Sequence, residues 1–377
     1  MKAWELEIST SIYHFFQLYT KCIIVGITTD NCPAIAKAGR SIAAGIPGCV
    51  HSGCGCHIIQ LFIREGLLPH FQDAFDLCDK VRIELELRAP DEHLPQWVPT
   101  RWGSKLAVVR YLLKDGGRKF VAKDYITEED LETLKRAHAG LTPFEVATKR
   151  LEAADASIFD TVLSVLEINE IVSNTPAIKA VWEGVYEKFL SSDSFTVAMA
   201  LLVAPLNLMA EMESADIATY RRHVTRAAQR LAELSGFGED VAEEVVREVN
   251  GLFQGNIVTP MLARKATTLQ AWWNLAQDEA PVLFKLFGNF SCTAASEAES
   301  ERIFSLIGIT HTDLRNRMLT ETLEALVLVS RLHSWKKWFG VATVFPNLCT
   351  PPEPIPNHPE VHLRAFGVLA HLHIVKS

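Results

Sequence analysis

The sequence predicts a mostly helical α/β fold, and three observations support this prediction. Residues 22–29 read CIIVGITT, an apolar and β-branched run that is typical of a buried strand. From about residue 124 to residue 275, apolar side chains repeat at helical spacing. Residues 290–339 predict two further helices, and the second is apolar over most of its circumference.

Composition and charge exclude several classes of protein. The chain has 377 residues, 48% of them hydrophobic, which suits two or three domains, or one domain with a large insertion. Its net charge of −8 means that any DNA contact needs a local basic patch. Eight cysteines in this length do not indicate a disulfide framework. No apolar run reaches the roughly 18 residues of a transmembrane helix, so we expect no membrane partner.

The first predicted strand ends at Asp30, for which two interpretations stay open. Asp30 can cap the next helix, whose first turn would hold Pro33, or its carboxylate can hold a divalent cation. Residues 49–57, CVHSGCGCH, are dense in zinc-ligand types, but no second ligand pair follows at the spacing of ordinary zinc modules. We therefore expect Cys54 and His57 to be structural, without zinc.

A basic stretch at residues 101–123 is the candidate nucleic-acid surface. It predicts a helix to about residue 114 and contains Arg101, Trp102, Lys105 and Arg110. These side chains could contact phosphates and stack on a base. They could equally form a solvated helix face with a core tryptophan.

Helix-start patterns divide the middle of the chain. Thr127 is followed by three acidic residues, which predicts a helix N-terminus, and Pro143 after Thr142 predicts another. No glycine-rich phosphate loop or nucleophile elbow occurs in the sequence.

The C-terminal segment begins with a turn of small residues at 291–296. Glu301 lies in the acidic stretch that follows, which is typical of a helix start. The last predicted helix has two apolar stripes, which include Leu323 and Leu326 on one side and Leu328, Leu332 and Trp335 on another. Such a helix must be buried in a core or in an interface.

Four of these motifs resemble the hAT superfamily of transposases. The run SERIFS at 300–305, after Thr-Ala-Ala-Ser and before Arg-Asn-Arg, is similar to the C-terminal dimerisation region of that family. Residues 27–31, ITTDN, resemble its second Asp motif. Cys54 and His57 match its Cys-x-x-His motif, and residues 100–104, TRWGS, match a further signature. The resemblance implies that Asp30 and Glu301 come from an Asp-Asp-Glu triad that binds Mg²⁺ or Mn²⁺, here weakly.

The resemblance also implies a domain organisation. Residues 1–123 would form a partial ribonuclease-H-like core that lacks its first strands, and residues 124–275 an all-helical insertion. Residues 276–340 would be the dimerisation region that completes the core, and residues 341–377 a proline-rich irregular tail.

The functional expectation follows from a gap in the resemblance. The family's first catalytic Asp and its zinc finger have no counterpart in this sequence, so we expect a truncated or domesticated derivative that is catalytically inactive and self-associates. DNA is a candidate partner. By resemblance we expect the protein in the nucleus, and otherwise in the cytoplasm. Two alternatives stay open: an active metal-dependent transposase or nuclease whose missing Asp is supplied upstream, and a pure protein-interaction module.

Overall fold

The protein is described from a computed structural model. The structure describes residues 22–46, 48–89, 94–96, 102–114, 118–153, 155–173, 176–203, 214–234, 241–258, 263, 266, 268–298 and 372–376. Residues 1–21, the first part of the predicted core, lie outside these ranges. So do Arg101, Glu301 and the predicted dimerisation residues Leu323, Leu326, Leu328, Leu332 and Trp335.

The elements alternate between strand and helix only near the start of the described chain. They are β1 (Cys22–Thr29), α1 (Pro33–Ala44), β2 (Val50–Gly53), α2 (Gly55–Phe62), α3 (Leu68–His70), α4 (Gln72–Arg88), α5 (Trp102–Leu112) and α6 (Arg118–Ala122). A π-helical turn, Ile63–Leu67, joins α2 to α3. There follow α7 (Glu128–Leu151), α8 (Ile158–Ser173), α9 (Pro176–Leu190), α10 (Asp193–Val203), α11 (Ser214–Leu234), α12 (Val241–Gln254), α13 (Leu269–Ala276), α14 (Pro281–Ser291) and β3 (Leu372–Lys376).

The three strands form one small sheet in the order β2-β1-β3. Strand β1 pairs with β2 in parallel and with β3 in antiparallel orientation. Val25 and Ile27 of β1 are buried, as the β-branched run predicts. Helix α1 packs against both β1 and β2, while α14 contacts β1 and α10 contacts β2. The predicted mostly helical class is confirmed, because helices surround this small sheet.

The helices enclose a continuous apolar core with an aromatic centre. The Phe62 ring of α2 lies 5.5 Å from the Phe144 ring of α7 and 4.8 Å from the Trp182 ring of α9. All three side chains are almost fully buried. Within the described ranges, no helix combines the length and the apolar character needed to cross a membrane.

Helix α7 differs from the sequence prediction, because Pro143 lies inside it rather than at the start of a new helix. The predicted start at Thr127 is confirmed: its hydroxyl accepts the Asp130 N–H, and the Asp130 carboxylate accepts the Thr127 N–H. Leu141 and Phe144, on either side of the proline, continue one buried face. Their burial keeps the helix continuous although Pro143 cannot donate a backbone hydrogen bond.

Helix α5 ends at Leu112, close to the predicted end near residue 114, and α6 begins at Arg118. One other boundary differs from the prediction. In the expected irregular tail, Leu372–Lys376 forms strand β3 against β1. An open edge of β1 would leave a row of backbone N–H and C=O groups unpaired, and this short apolar run satisfies them.

Candidate functional site

The candidate site lies at the carboxyl ends of β1 and β2. The strands run in parallel with Thr29 opposite Gly53, so Asp30 and Cys54 follow at the same edge of the sheet. The Cys54 N–H donates to the Thr29 carbonyl over 2.8 Å. This edge is where parallel sheets commonly place their ligand sites.

Asp30 does not cap helix α1. The N-cap residue is Cys32, whose N–H donates to the Asp30 carboxylate over 3.2 Å, and Pro33 begins the helix. The same carboxylate oxygen lies 3.3 Å from Nδ1 of His57, and 29% of the Asp30 side chain is exposed. A partly exposed carboxylate beside an imidazole is compatible with one divalent cation and its waters.

Three neighbouring side chains within the two motifs, to which the sequence assigned no individual role, fix this edge of the sheet. Asn31 donates from Nδ2 to the Cys54 carbonyl over 2.8 Å and so joins the two strand ends. Thr29 Oγ1 lies 2.8 Å from Nε2 of His51. Burial, with a smaller effect of Arg40, lowers the pKa of His51 to about 4, so this imidazole is neutral at pH 7. The polar residues at 28–31, directly after an apolar strand, were the sequence feature that could have indicated these contacts.

The Cys-x-x-His pair contacts both the end of β1 and the C-terminal segment that follows α14. Cys54 is the N-cap of α2, and a hydrogen bond with the Cys56 side chain is the main factor that lowers its pKa below the ordinary cysteine value. Backbone N–H groups of Glu297 and His57 add to this effect against burial. His57 points instead to Asp30. The structural role expected for Cys54 and His57 stays a prediction.

The small residues at 293–296 dock against this edge of the sheet. The Ala294 carbonyl accepts from the Thr28 hydroxyl over 2.7 Å, and the Ala295 carbonyl accepts from the Gly55 N–H over 2.8 Å. Thr293, Ala295 and Ser296 are buried. A Cβ on Gly55 would lie 3.1 Å from the Ala295 oxygen and closer still to Thr161, so a glycine suits this approach. The predicted turn therefore carries the C-terminal segment to the Asp30 edge.

The proximity of Asp30 and Glu301 stays a prediction, because Glu301 lies outside the described ranges. Ala298 is the last described residue of this segment. Three residues span at most about 11 Å, which keeps Glu301 within that distance of Ala298. Among the described residues, no three His, Cys, Asp or Glu side chains group closely enough to hold a metal ion. Asp30 supplies an oxygen ligand that suits Mg²⁺ or Mn²⁺, and the proposed second ligand is Glu301.

Three side chains in the described part of the basic stretch already contact other residues of the protein. Trp102 is half-buried and packs against the core. Lys105 Nζ lies 4.8 Å from the centroid of the Phe75 ring. The Arg110 guanidinium lies 2.5 Å from the Glu145 carboxylate. Burial raises the pKa of Glu145, but hydrogen bonds from Arg110 and Lys149 outweigh it and lower the pKa overall.

Comparison with known families identifies the region around α13 and α14. Residues 257–332 match the model of the hAT family C-terminal dimerisation region. The chain therefore contains a region similar to the dimerisation region of hAT transposases. No curated protein matches the chain.

The match covers α13, α14 and the docked turn, so it begins before the boundary predicted at residue 276. Trp273 of α13 stacks on Phe287 of α14 at 5.4 Å and donates from Nε1 to the Leu201 carbonyl over 3.1 Å. Glu248 of α12 accepts the N–H groups of Val282 and Leu283 at the start of α14. The first half of the dimerisation region is therefore part of the protein core, and the match supports self-association.

Proposed function

We propose that this chain is a transposase-derived protein that dimerises through its C-terminal helices, binds DNA weakly and does not cleave it. The observation that carries the proposal is the match to a dimerisation region whose first helices pack into the core. The family resemblance supports a nuclear location.

The proposed interface is the second apolar stripe of the last predicted helix. Changing both Leu328 and Leu332 to Asp should convert dimers to monomers, because two unpaired charges would have to be buried in an apolar interface. We expect the dissociation constant to rise at least about 1,000-fold, which corresponds to about 4 kcal/mol. Sedimentation velocity between low and high micromolar protein measures this change.

A matched control uses two leucines that are already exposed. Leu87 is 74% exposed and Leu234 is 54% exposed, so Leu87→Asp with Leu234→Asp adds the same charge without entering the proposed interface. This variant should sediment as the wild type does. A wild type that is monomeric throughout the concentration range would contradict dimerisation.

DNA binding through the basic stretch is the second component of the proposal. Replacing Arg101, Lys105 and Arg110 with Ala should weaken binding and flatten its salt dependence, because each phosphate contact releases counterions. Fluorescence anisotropy with a labelled duplex at several salt concentrations measures both effects. Unchanged binding would mean that these residues form a solvated face.

Catalytic inactivity rests on the number of carboxylates that match the family triad. Two-metal phosphoryl transfer needs ligands that hold both ions beside the scissile phosphate. Asp30 and Glu301 are the two matched carboxylates, and a lone pair of ligands fits one weakly held ion better than two. The alternative, an active nuclease, would be supported by Mn²⁺-dependent nicking of DNA that disappears in Glu301→Gln. A pure protein-interaction module would bind no DNA at any salt concentration.

A further inference from the structure

A groove lined by arginines lies between α11 and α12, and it shares no lining residue with the Asp30 edge or the basic stretch. Its volume is about 350 Å³, and its lining consists of Arg221, Arg222, Thr225, Arg226, Gln229 and Asn250. Among the described residues, no acidic side chain lines it. The groove therefore concentrates positive charge and hydrogen-bond donors in a chain whose net charge is −8.

Helix α11 presents these arginines along one side. Positions 221, 222, 225, 226 and 229 follow helical spacing, so they share a stripe. The opposite stripe is buried and includes Val224, Ala228 and Leu231. The helical rise places Arg222 and Arg226 about 6 Å apart along the axis, so the charges form a row.

Ion pairing distinguishes the groove arginines from Arg230, which lies further along the same helix. Arg230 donates from Nε and Nη2 to both carboxylate oxygens of Asp193, a bidentate ion pair. Arg222 donates to the Thr219 hydroxyl over 3.2 Å. With the other residues in the described ranges, the side chains of Arg221 and Arg226 form no ion pair. No carboxylate of the described residues would have to be displaced from these two guanidinium groups by a ligand.

The guanidinium groups that line the groove indicate an anionic ligand with phosphate oxygens. Guanidinium groups bind phosphate oxygens in a bidentate manner. Small-molecule sites are mostly concave and lined by apolar side chains, whereas this groove is open and every residue that lines it is polar or charged. A row of charges along an exposed helix suits a polymer with repeated phosphates better than a single phosphate group.

We propose that the α11–α12 groove binds the phosphate backbone of a nucleic acid, and that it contributes more phosphate contacts than the stretch at Arg101. This inference rests on the DNA-binding component of the proposed function and names a separate site for it. In the basic stretch, Arg110 already pairs with Glu145 and Lys105 lies over Phe75. Phosphate contacts there compete with existing ones.

The experiment compares three variants of the full chain. Arg221, Arg222 and Arg226 are changed together to Gln in the first, and Arg101, Lys105 and Arg110 are changed to Ala in the second. The charge-matched control changes Arg64, Lys135 and Lys179, three exposed cations in surface ion pairs, to Gln. Binding to a labelled 20-base-pair duplex of mixed sequence is measured by anisotropy over a range of salt concentrations.

The groove variant should reduce the slope of log affinity against log salt by about 2 to 3, since each lost phosphate contact removes about 0.9. The control should keep the wild-type slope, and the Arg101 variant should lose less than the groove variant. Changing the same three arginines to Lys should retain most of the slope, and an unchanged unfolding midpoint confirms folding.

The outcomes separate the two levels of the proposal. A wild type that binds DNA together with a groove variant of unchanged slope would overturn the groove and leave the proposed DNA binding intact. A wild type that does not bind the duplex would overturn both. Binding of a phosphoserine peptide, lost in the groove variant and without any DNA binding, would assign the groove to a different partner and overturn this inference.

Discussion

Trp182→Ala should lower the free energy of unfolding by about 3 to 5 kcal/mol, the usual cost of deleting a buried tryptophan. Trp182 is 1% exposed and contacts the Phe62 ring edge to face at 4.8 Å. Its indole Nε1 donates to Asn169 Oδ1 over 2.8 Å. The alanine variant would therefore leave a cavity between α2 and α9 and would remove the hydrogen bond to Asn169.

Urea denaturation followed by circular dichroism measures this loss. Trp182→Phe keeps much of the ring volume and should cost less, since it removes mainly the hydrogen bond and part of the contact area. Val146→Ala, at a 53% exposed position of α7, should change stability by less than about 0.5 kcal/mol. A loss below about 1 kcal/mol in Trp182→Ala would mean that this aromatic centre is not well packed.

Glu248→Ala should lower the free energy of unfolding by about 2 to 5 kcal/mol, because it leaves two buried N–H groups at the start of α14 unpaired. Glu248 is 1% exposed, and it accepts from Val282 over 3.2 Å and from Leu283 over 2.8 Å. The N-cap residue of α14, Ala280, makes no side-chain cap. The distant glutamate therefore replaces a local cap and fixes α14 against α12.

The same carboxyl group gives stability a pH dependence. Burial is the main cause that raises its pKa above the ordinary value of 4.5, although the two backbone hydrogen bonds oppose this shift. The folded state then binds more protons than the unfolded state. The contribution of Glu248 to stability is full below about pH 4.5 and falls as pH rises through the raised pKa. Glu248→Gln should remove this part of the profile in urea titrations at successive pH values. If the wild-type and Gln profiles were parallel, the pKa would not be shifted.

Local patterns predicted the elements whose stability depends on local chemistry. The β-branched run predicted strand β1. Thr127 followed by three acidic residues predicted the start of α7, where Thr127 and Asp130 form reciprocal hydrogen bonds. The turn of small residues before Glu297 was also predicted. In each case the residues that determine the structure are neighbours in sequence.

Where the structure differs from the sequence predictions, contacts between residues distant in sequence are the cause. The buried face through Leu141 and Phe144 overrides the helix-start signal at Pro143. No local pattern could pair β3 with β1 or place the Ala295 carbonyl on the Gly55 N–H. The position of Asp30 at a strand end was predictable, but its contacts with His57 and Cys32 depend on the neighbouring strand and on the loop geometry.

The central position of β1 has a consequence for biosynthesis. Its parallel neighbour β2 is synthesised soon after it, but its antiparallel neighbour β3 consists of residues 372–376. The Thr28 hydroxyl also donates to the carbonyl of Ala294, which is synthesised much later than β1. Until those residues emerge, one edge of an apolar strand lacks the β3 partner that it has in the folded protein, and such edges favour pairing with other chains. We therefore expect this sheet to close only after synthesis of residues 372–376, and the nascent chain to be prone to association before that point.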